Sequence, residues 1–196
     1  MKKLLFLALL PFLAAACKKD KDDDKKNEPI LMPLAIGNQW VFEHREFDDF
    51  GAPYNIETED PLVVLKTGTR SGYFSVEADN SEQISSSATE ILITADGEPD
   101  YKFLKSAKVD TFNRYTEANG TKTVCVAYPD TAQVLTYNGC YRNEYLSYQS
   151  TGELYNKEVH YVSPGIGIVR MDSYSYQGNG VWELDYRVDL KSYIIK

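Results

Sequence analysis

The segment beginning at Trp182 constrains the fold most: its even positions are Trp182, Leu184, Tyr186, Val188 and Leu190, and its odd positions are Glu183, Asp185, Arg187, Asp189 and Lys191. Side chains of an extended chain point alternately to opposite faces, so this period of two predicts a strand with one dry and one wet face. A sheet made of such strands is covered on one side only. Helical spacing is nearly absent elsewhere, while short runs rich in Val, Ile, Thr, Tyr and Phe recur between turn signals.

The other expected strands are Trp40 to Phe47, Pro61 to Thr67, Tyr73 to Ala78, Glu90 to Thr94, Thr121 to Tyr128, Tyr141 to Tyr148, Leu154 to Val162 and Ile168 to Tyr176. Asn119-Gly120 and Asn138-Gly139 suit turns that need positive φ. Asp96-Gly97, Ser163-Pro164-Gly165 and Gln177-Gly178-Asn179-Gly180 mark further reversals. Strands joined this closely pair as antiparallel neighbours. The fold class is therefore all-β, an antiparallel meander with at most one or two short helices. The polar, serine-rich stretch Asp79 to Thr89 is read as a loop or one short helix, and there is no internal repeat.

The N-terminal end reads as an export signal. Lys2 and Lys3 precede an apolar run from Leu4 to Leu13, followed by Ala14, Ala15 and Ala16. A membrane-spanning helix needs about 20 apolar residues, and here charge begins at Lys18. Leu13-Ala14-Ala15-Ala16-Cys17 resembles a lipobox, which implies cleavage after residue 16 and acylation of Cys17. At about 0.8 kcal/mol per buried methylene, two or three acyl chains make a lasting anchor. Residues 18–28, KKDKDDDKKNE, hold no apolar side chain and read as a solvated tether reaching on the order of 20 Å. The cluster Asp22, Asp23 and Asp24 resembles the acidic signal that sends Bacteroidota lipoproteins to the outer face of the outer membrane; a plain spacer facing the periplasm is the alternative. The chain thus divides into a signal peptide (1–16), a lipidated cysteine with its tether (17–28), and one β-rich domain (29–196).

Without Lys2, Lys3 and the tether, 14 basic and 24 acidic residues remain. That excess of acid argues against nucleic acid and anionic lipid as partners, since both are met by basic surfaces. An exported chain meets an oxidising compartment, so the two remaining cysteines, Cys125 and Cys140, are candidates for a disulfide contributing about 3 kcal/mol. The spacing leaves the pairing open. If Pro129-Asp130 closes a tight hairpin, Cys125 faces a residue near Thr136 and Cys140 lies a further turn away.

Two segments carry a family resemblance. Residues 32–42, Met-Pro-Leu-Ala-Ile-Gly-Asn-Gln-Trp-Val-Phe, resemble the "PLxxGNxWxY" opening of a group of Bacteroidota lipoproteins. Residues 161–170, Tyr-Val-Ser-Pro-Gly-Ile-Gly-Ile-Val-Arg, resemble the "YxxPGVGLVK" start of a later strand in the same group. Gly139-Cys140-Tyr141-Arg142 is similar to a weaker "GTFxCY" step between them. The resemblance, to proteins sometimes labelled TapB-like, implies a curved antiparallel sheet akin to the half-barrel or open barrel of LolA/LolB-like carriers, with no activity attached. Physically, Gly37 and Gly165 stand where loops pass into strands, Gly167 clears space for another element, and Trp40 caps an apolar core.

Catalytic signatures are weak. His44 and His160 lie on separate strands without ligands at metal spacing, and are read as surface or edge-of-core residues. The acids Glu46, Asp48, Asp49, Glu57, Glu59 and Asp60 lack the spacing of a calcium loop and read as a solvated charged loop. Neither a Gly-x-Ser-x-Gly elbow nor a phosphate-binding glycine loop is present. No metal and no cofactor is expected. Asp130-Thr131-Ala132 resembles a short Bacteroidota O-glycosylation sequon.

Of fifteen tyrosines, most follow Tyr101. An aromatic ring with a polar tip suits a glycan, a lipid or a protein partner, and the candidate binding aromatics are Trp40, Tyr141, Tyr145, Tyr161, Tyr174 and Tyr176. The leading expectation is a non-catalytic binding or accessory module held on the outer membrane by its N-terminal lipid, facing the cell exterior. Two alternatives stand beside it: a carrier of lipid or another hydrophobic ligand on a half-barrel's concave face, which requires an open apolar cavity, and a glycosidase-like enzyme, which requires two facing carboxylates.

Overall fold

The computed structural model describes residues 29–70, 73–78, 83–94 and 101–196. The expected signal peptide, Cys17, the tether with its aspartates, and the Asp96-Gly97 reversal lie outside the described residues. Among those described are thirteen strands and no helix. The first seven are β1 (Gln39–Phe47), β2 (Pro53–Thr58), β3 (Leu62–Arg70), β4 (Tyr73–Ala78), β5 (Gln83–Ser86), β6 (Glu90–Thr94) and β7 (Tyr101–Leu104). The remaining six are β8 (Asp110–Thr116), β9 (Lys122–Val134), β10 (Tyr137–Tyr148), β11 (Leu154–Ser163), β12 (Gly167–Gly178) and β13 (Val181–Ile194).

These strands form one open antiparallel path, β7-β6-β5-β4-β3-β1-β13-β12-β11-β10-β9-β8, with β2 attached to β1. The larger half is the meander β8 to β13 closed by β1. The smaller half, β3 to β7, is joined to it through two residue pairs, Gln39↔Val63 and Trp40↔Leu62. Beyond that seam β1 pairs β2 instead, so β3 is free to diverge and carry the smaller half over the inner face of the larger one.

The edge of β7 then meets the face of β10. The Asn143 side chain accepts from Leu104 N–H at 2.9 Å and donates to Leu104 C=O at 3.2 Å. Tyr145 Oη accepts from Lys102 N–H at 3.0 Å and donates to Lys102 C=O at 2.6 Å. Two side chains thus satisfy an edge that would otherwise expose unpaired backbone groups. The core lies between the halves and includes Trp40, Val64, Ile84, Ile91, Phe103, Val162 and Leu190.

The two family-like motifs meet in space. Met32 packs so closely on Gly167 (φ +109°) that a Cβ there would stand 2.8 Å from Met32 Cγ. Trp40 is fully buried and its Nε1–H donates to Ile166 C=O at 2.7 Å. Gly165 N–H donates to Ile30 C=O, and buried Asn38 donates to Pro33 C=O while accepting from Lys196 N–H.

Several expectations need correction. β2, β5, β7 and β8 were not among the expected strands, and β5 occupies part of the stretch read as a loop or helix. Pro129-Asp130 does not close the β9–β10 hairpin. β9 continues to Val134, the turn falls at Leu135-Thr136, and Tyr128 to Asp130 form a bulge opposite Arg142 that accommodates a proline lacking its N–H. Asn138-Gly139 sits in a second bulge within β10. Cys125 therefore pairs with Tyr145, five residues along β10 from Cys140, and both cysteines are buried free thiols. The disulfide is not formed, because five residues of strand put the two positions on the order of 16 Å apart.

The even positions of β13 do not share one face either. Asp185 is extra where Ser173↔Tyr186 gives way to Tyr174↔Leu184. Tyr186, Val188 and Leu190 remain on the inner face, whereas Trp182 turns outward, where Lys157 Nζ lies 4.8 Å from the ring centres of both Trp182 and Tyr174. The outer face is laced rather than simply wet: Arg187 donates to Asp172, Arg170 to Asp189, and Arg45 pairs with Glu43.

Candidate functional site

Where the smaller half overhangs β11 to β13 and β1, an open pocket of about 540 Å³ remains between the layers. Its volume lies within the range of small-molecule sites. Phe42, Leu62, Ile93, Phe103, Ile168 and Met171 form apolar walls. Alternation places Phe42, which follows Trp40 by two on β1, whereas on β12 the extra residue Val169 forms a bulge that lets Ile168 and Met171, three apart, line the same space.

The polar lining is acidic. Glu158 and His160, two apart on β11, point to the same side, and His160 Nε2 lies 2.9 Å from Glu158 Oε2. Burial alone would raise the Glu158 pKa, but the hydrogen bond and electrostatic attraction of His160, together with the Tyr186 hydroxyl that donates to the same carboxylate, hold it below the ordinary carboxylate value. Burial pushes the Tyr186 hydroxyl up, and the neighbouring Glu158 charge pushes the same way.

His160 is 3% exposed, with ring contacts to Phe103 at 5.2 Å and to Tyr145 at 5.0 Å. Its Nδ1 is buried without a hydrogen-bond partner. On the other flank His44 stacks on Tyr186 at 5.2 Å, and Glu59 and Asp60 stand at the rim. Among the described lining residues there is no Lys or Arg.

The six aromatics singled out in the sequence do not gather here. Trp40 and Tyr145 are core residues, and burial pushes the Tyr145 hydroxyl up. Tyr141 lies under Lys105 Nζ at 5.4 Å. On the outer face, Tyr174 donates to Asp172, Tyr161 sits half-buried between Arg142 and Arg170, and Tyr176 packs against Trp182. His160, read as surface or edge-of-core, is instead a buried wall of the pocket. Phe42, Met171, Glu158 and Tyr186 join the site without being among the sequence candidates, and the one local signal for them is the Glu-x-His spacing on one face of β11. The acidic stretch between Glu46 and Asp60 spreads over the β1–β2 hairpin and the pocket rim. Among the described residues no three His, Cys, Asp or Glu side chains form a metal-holding group.

No protein-family model and no curated protein sequence matches the chain. Among solved structures, a Bacteroides fragilis protein described as exported and YmcC-like in fold aligns at TM-score 0.52 and 15% identity, over 85% of this chain and 100% of its own. The chain shares that fold. A Parabacteroides distasonis protein described as a lipoprotein aligns at TM-score 0.42 and 15% identity, over 85% of this chain and 99% of its own. Nothing in these matches singles out TapB-like or LolA/LolB-like proteins. In this chain the sheet is open, one of its faces is sheltered by the smaller half, and the pocket occupies that face.

Proposed function

We propose that the mature protein is a lipid-anchored envelope lipoprotein acting as a non-catalytic binding module, whose inner-face pocket takes a small apolar ligand with a cationic or hydrogen-bond-donating group. The observation that carries this reading is the pocket itself: apolar walls, a carboxylate held ionised in its lining, and no Lys or Arg among the described lining residues. Fatty carboxylates and phosphates would meet Glu158, Glu59 and Asp60 with like charge. An apolar amine or alcohol would place its donor on Glu158 and its chain against Phe42 and Met171. Hydrolytic chemistry of the glycosidase kind needs a carboxyl raised into its protonated form, and Glu158 is shifted the opposite way.

The binding test is calorimetric titration with dodecylamine, dodecanol and dodecanoate. Binding of the amine at micromolar Kd or better, lost by at least about tenfold in a pocket-filling Met171→Trp variant, supports the reading. Equal binding of dodecanoate, or no binding of any of the three, overturns it. The envelope address rests on the lipobox sequence and agrees with the descriptions of both structural neighbours. Metabolic labelling with palmitate tests it: label should enter the wild-type chain and be absent from Cys17→Ser. Placement on the exterior of the outer membrane follows from the acidic tether and is tested by protease shaving of intact cells, in which a protected domain contradicts it.

A further inference from the structure

The two ends of the sheet differ in chemistry. At one end lie the turns at residues 48–52, 117–121, 149–153 and 178–181, which carry Asp48, Asp49, Glu117 and Glu153 and no basic residue. At the other lie the start of β1, the close of β13, the Leu135-Thr136 turn and the Pro164 to Ile166 turn. The described segments there, 29–38, 134–137, 163–167 and 193–196, hold no acidic side chain and one lysine, Lys196.

That second end is also apolar. Of fourteen large apolar side chains exposed among the described residues, seven are Ile30, Ile36, Leu65, Leu135, Tyr193, Ile194 and Ile195. Hydrogen bonds hold them together: Gly165 to Ile30, Gly37 to Val64 beside Leu65, and Lys196 N–H to Asn38 beside Ile36 and Ile195. Tyr193 reaches Tyr137 across the β13 and β10 ends, with ring centres 6.4 Å apart. Tyrosine and lysine are favoured where protein meets the polar boundary of a bilayer, and isoleucine favours the hydrocarbon just beneath it.

We propose that this apolar end rests on the lipid surface, with the acidic turns facing away from it. The inference rests on the acylation of Cys17 proposed above. What selects a bilayer as the occupant is the path of the chain: it joins the fold at Pro29, against Gly165 and within this end, and eleven residues separate Pro29 from Cys17. Eleven residues can hold the domain no further than a short linker's reach from its anchor, so partitioning of the patch is intramolecular and modest apolar area suffices. The charge asymmetry acts in the same sense, since an anionic lipid surface repels the acidic turns and tolerates the end bearing only Lys196.

The test uses the full acylated chain in phosphatidylethanolamine–phosphatidylglycerol vesicles, with an environment-sensitive fluorophore on Thr136→Cys at the apolar end or on Thr151→Cys at the acidic end. Expected is an emission increase of about threefold or more with a blue shift at position 136, none at position 151, and loss of the increase when Ile36→Asp and Ile195→Asp are added. Chains that float with vesicles but respond equally at both positions overturn this inference while leaving the anchor intact. A response at position 136 that appears in detergent micelles and scales with protein concentration identifies a second copy as the occupant and overturns it as well. Chains found unacylated by mass spectrometry sink both readings.

Discussion

The two halves of the sheet solve the same folding problem with unequal means. From β9 to β13 every strand has ten residues or more, and neighbouring strands share long registers. In the smaller half β5 and β7 have four residues each and β6 five. Short strands bury little surface and leave edges, and a few strands alone are marginal in water. The smaller half therefore depends on the larger one, through the Trp40 seam and the bonds of Asn143 and Tyr145 to β7. The difference teaches that one half is a scaffold and the other is fastened to it, with the pocket as the space left between them.

The seam is the most damaging place to break that arrangement. Trp40→Ala removes a fully buried ring beside both Leu62 of β3 and Tyr193 of β13. It should lower stability by about 3–5 kcal/mol in denaturant melts, with both halves unfolding in one transition. A loss below about 1 kcal/mol would show that the halves stand independently.

Asn143→Ala and Tyr145→Phe sharpen the comparison by touching only the fastening. Each strips partners from two backbone groups of β7, at about 1–3 kcal/mol. Hydrogen exchange should quicken in β5 to β7 and stay unchanged in β11 and β12; uniform quickening contradicts the division into scaffold and attachment.

Acid should act on the space between the halves. The folded-state pKa of Glu158 lies below the ordinary carboxylate value, so its contribution is fully present above that value and is lost as pH falls through the lower, folded one. Glu158→Gln should remove its share of this acid limb, on the order of 1 kcal/mol, leaving stability at pH 7 to pH 8 less dependent on pH than at pH 3 to pH 5. An unaltered acid limb in the variant denies Glu158 that role.

The mildest probe reads the scaffold alone. Burial pushes the Cys125 thiol up to about 12, and burial raises Cys140 as well. Neither should react with a thiol reagent at pH 8 until denaturant opens β9 and β10. Rapid labelling of the native protein would mean that the larger half breathes.

The scaffold was also the more legible half. Most of its strands follow from alternation, and Tyr73 to Ala78 and Glu90 to Thr94 were placed to the residue in the smaller half. β5, Gln-Ile-Ser-Ser, has one large apolar side chain, so no period can be read from it; β2 opens on proline, and β8 mixes Asn, Arg and Thr among its aromatics. Bulges defeated the rest. An extra residue at Asp185 exchanges the faces of β13, and the bulge around Pro129 moves Cys125 to face Tyr145. The pocket was hidden because it is made across the chain: Glu158 and His160 are two apart on β11, but Tyr186 reaches them only across β12 and Phe42 only once β1 pairs β13.

The segment at residues 30–32 is held by both partners at once. Ile30 C=O accepts from Gly165 of the scaffold, while Leu31 and Met32 N–H donate to Ser87, just past β5, and Ser86, at its end, in the attached half. Tension arriving along the backbone from upstream of Pro29 would be divided between the two halves before it reached any single strand. A drag on the domain would then load the joint in shear across several bonds at once, the geometry in which a tethered body resists being peeled apart.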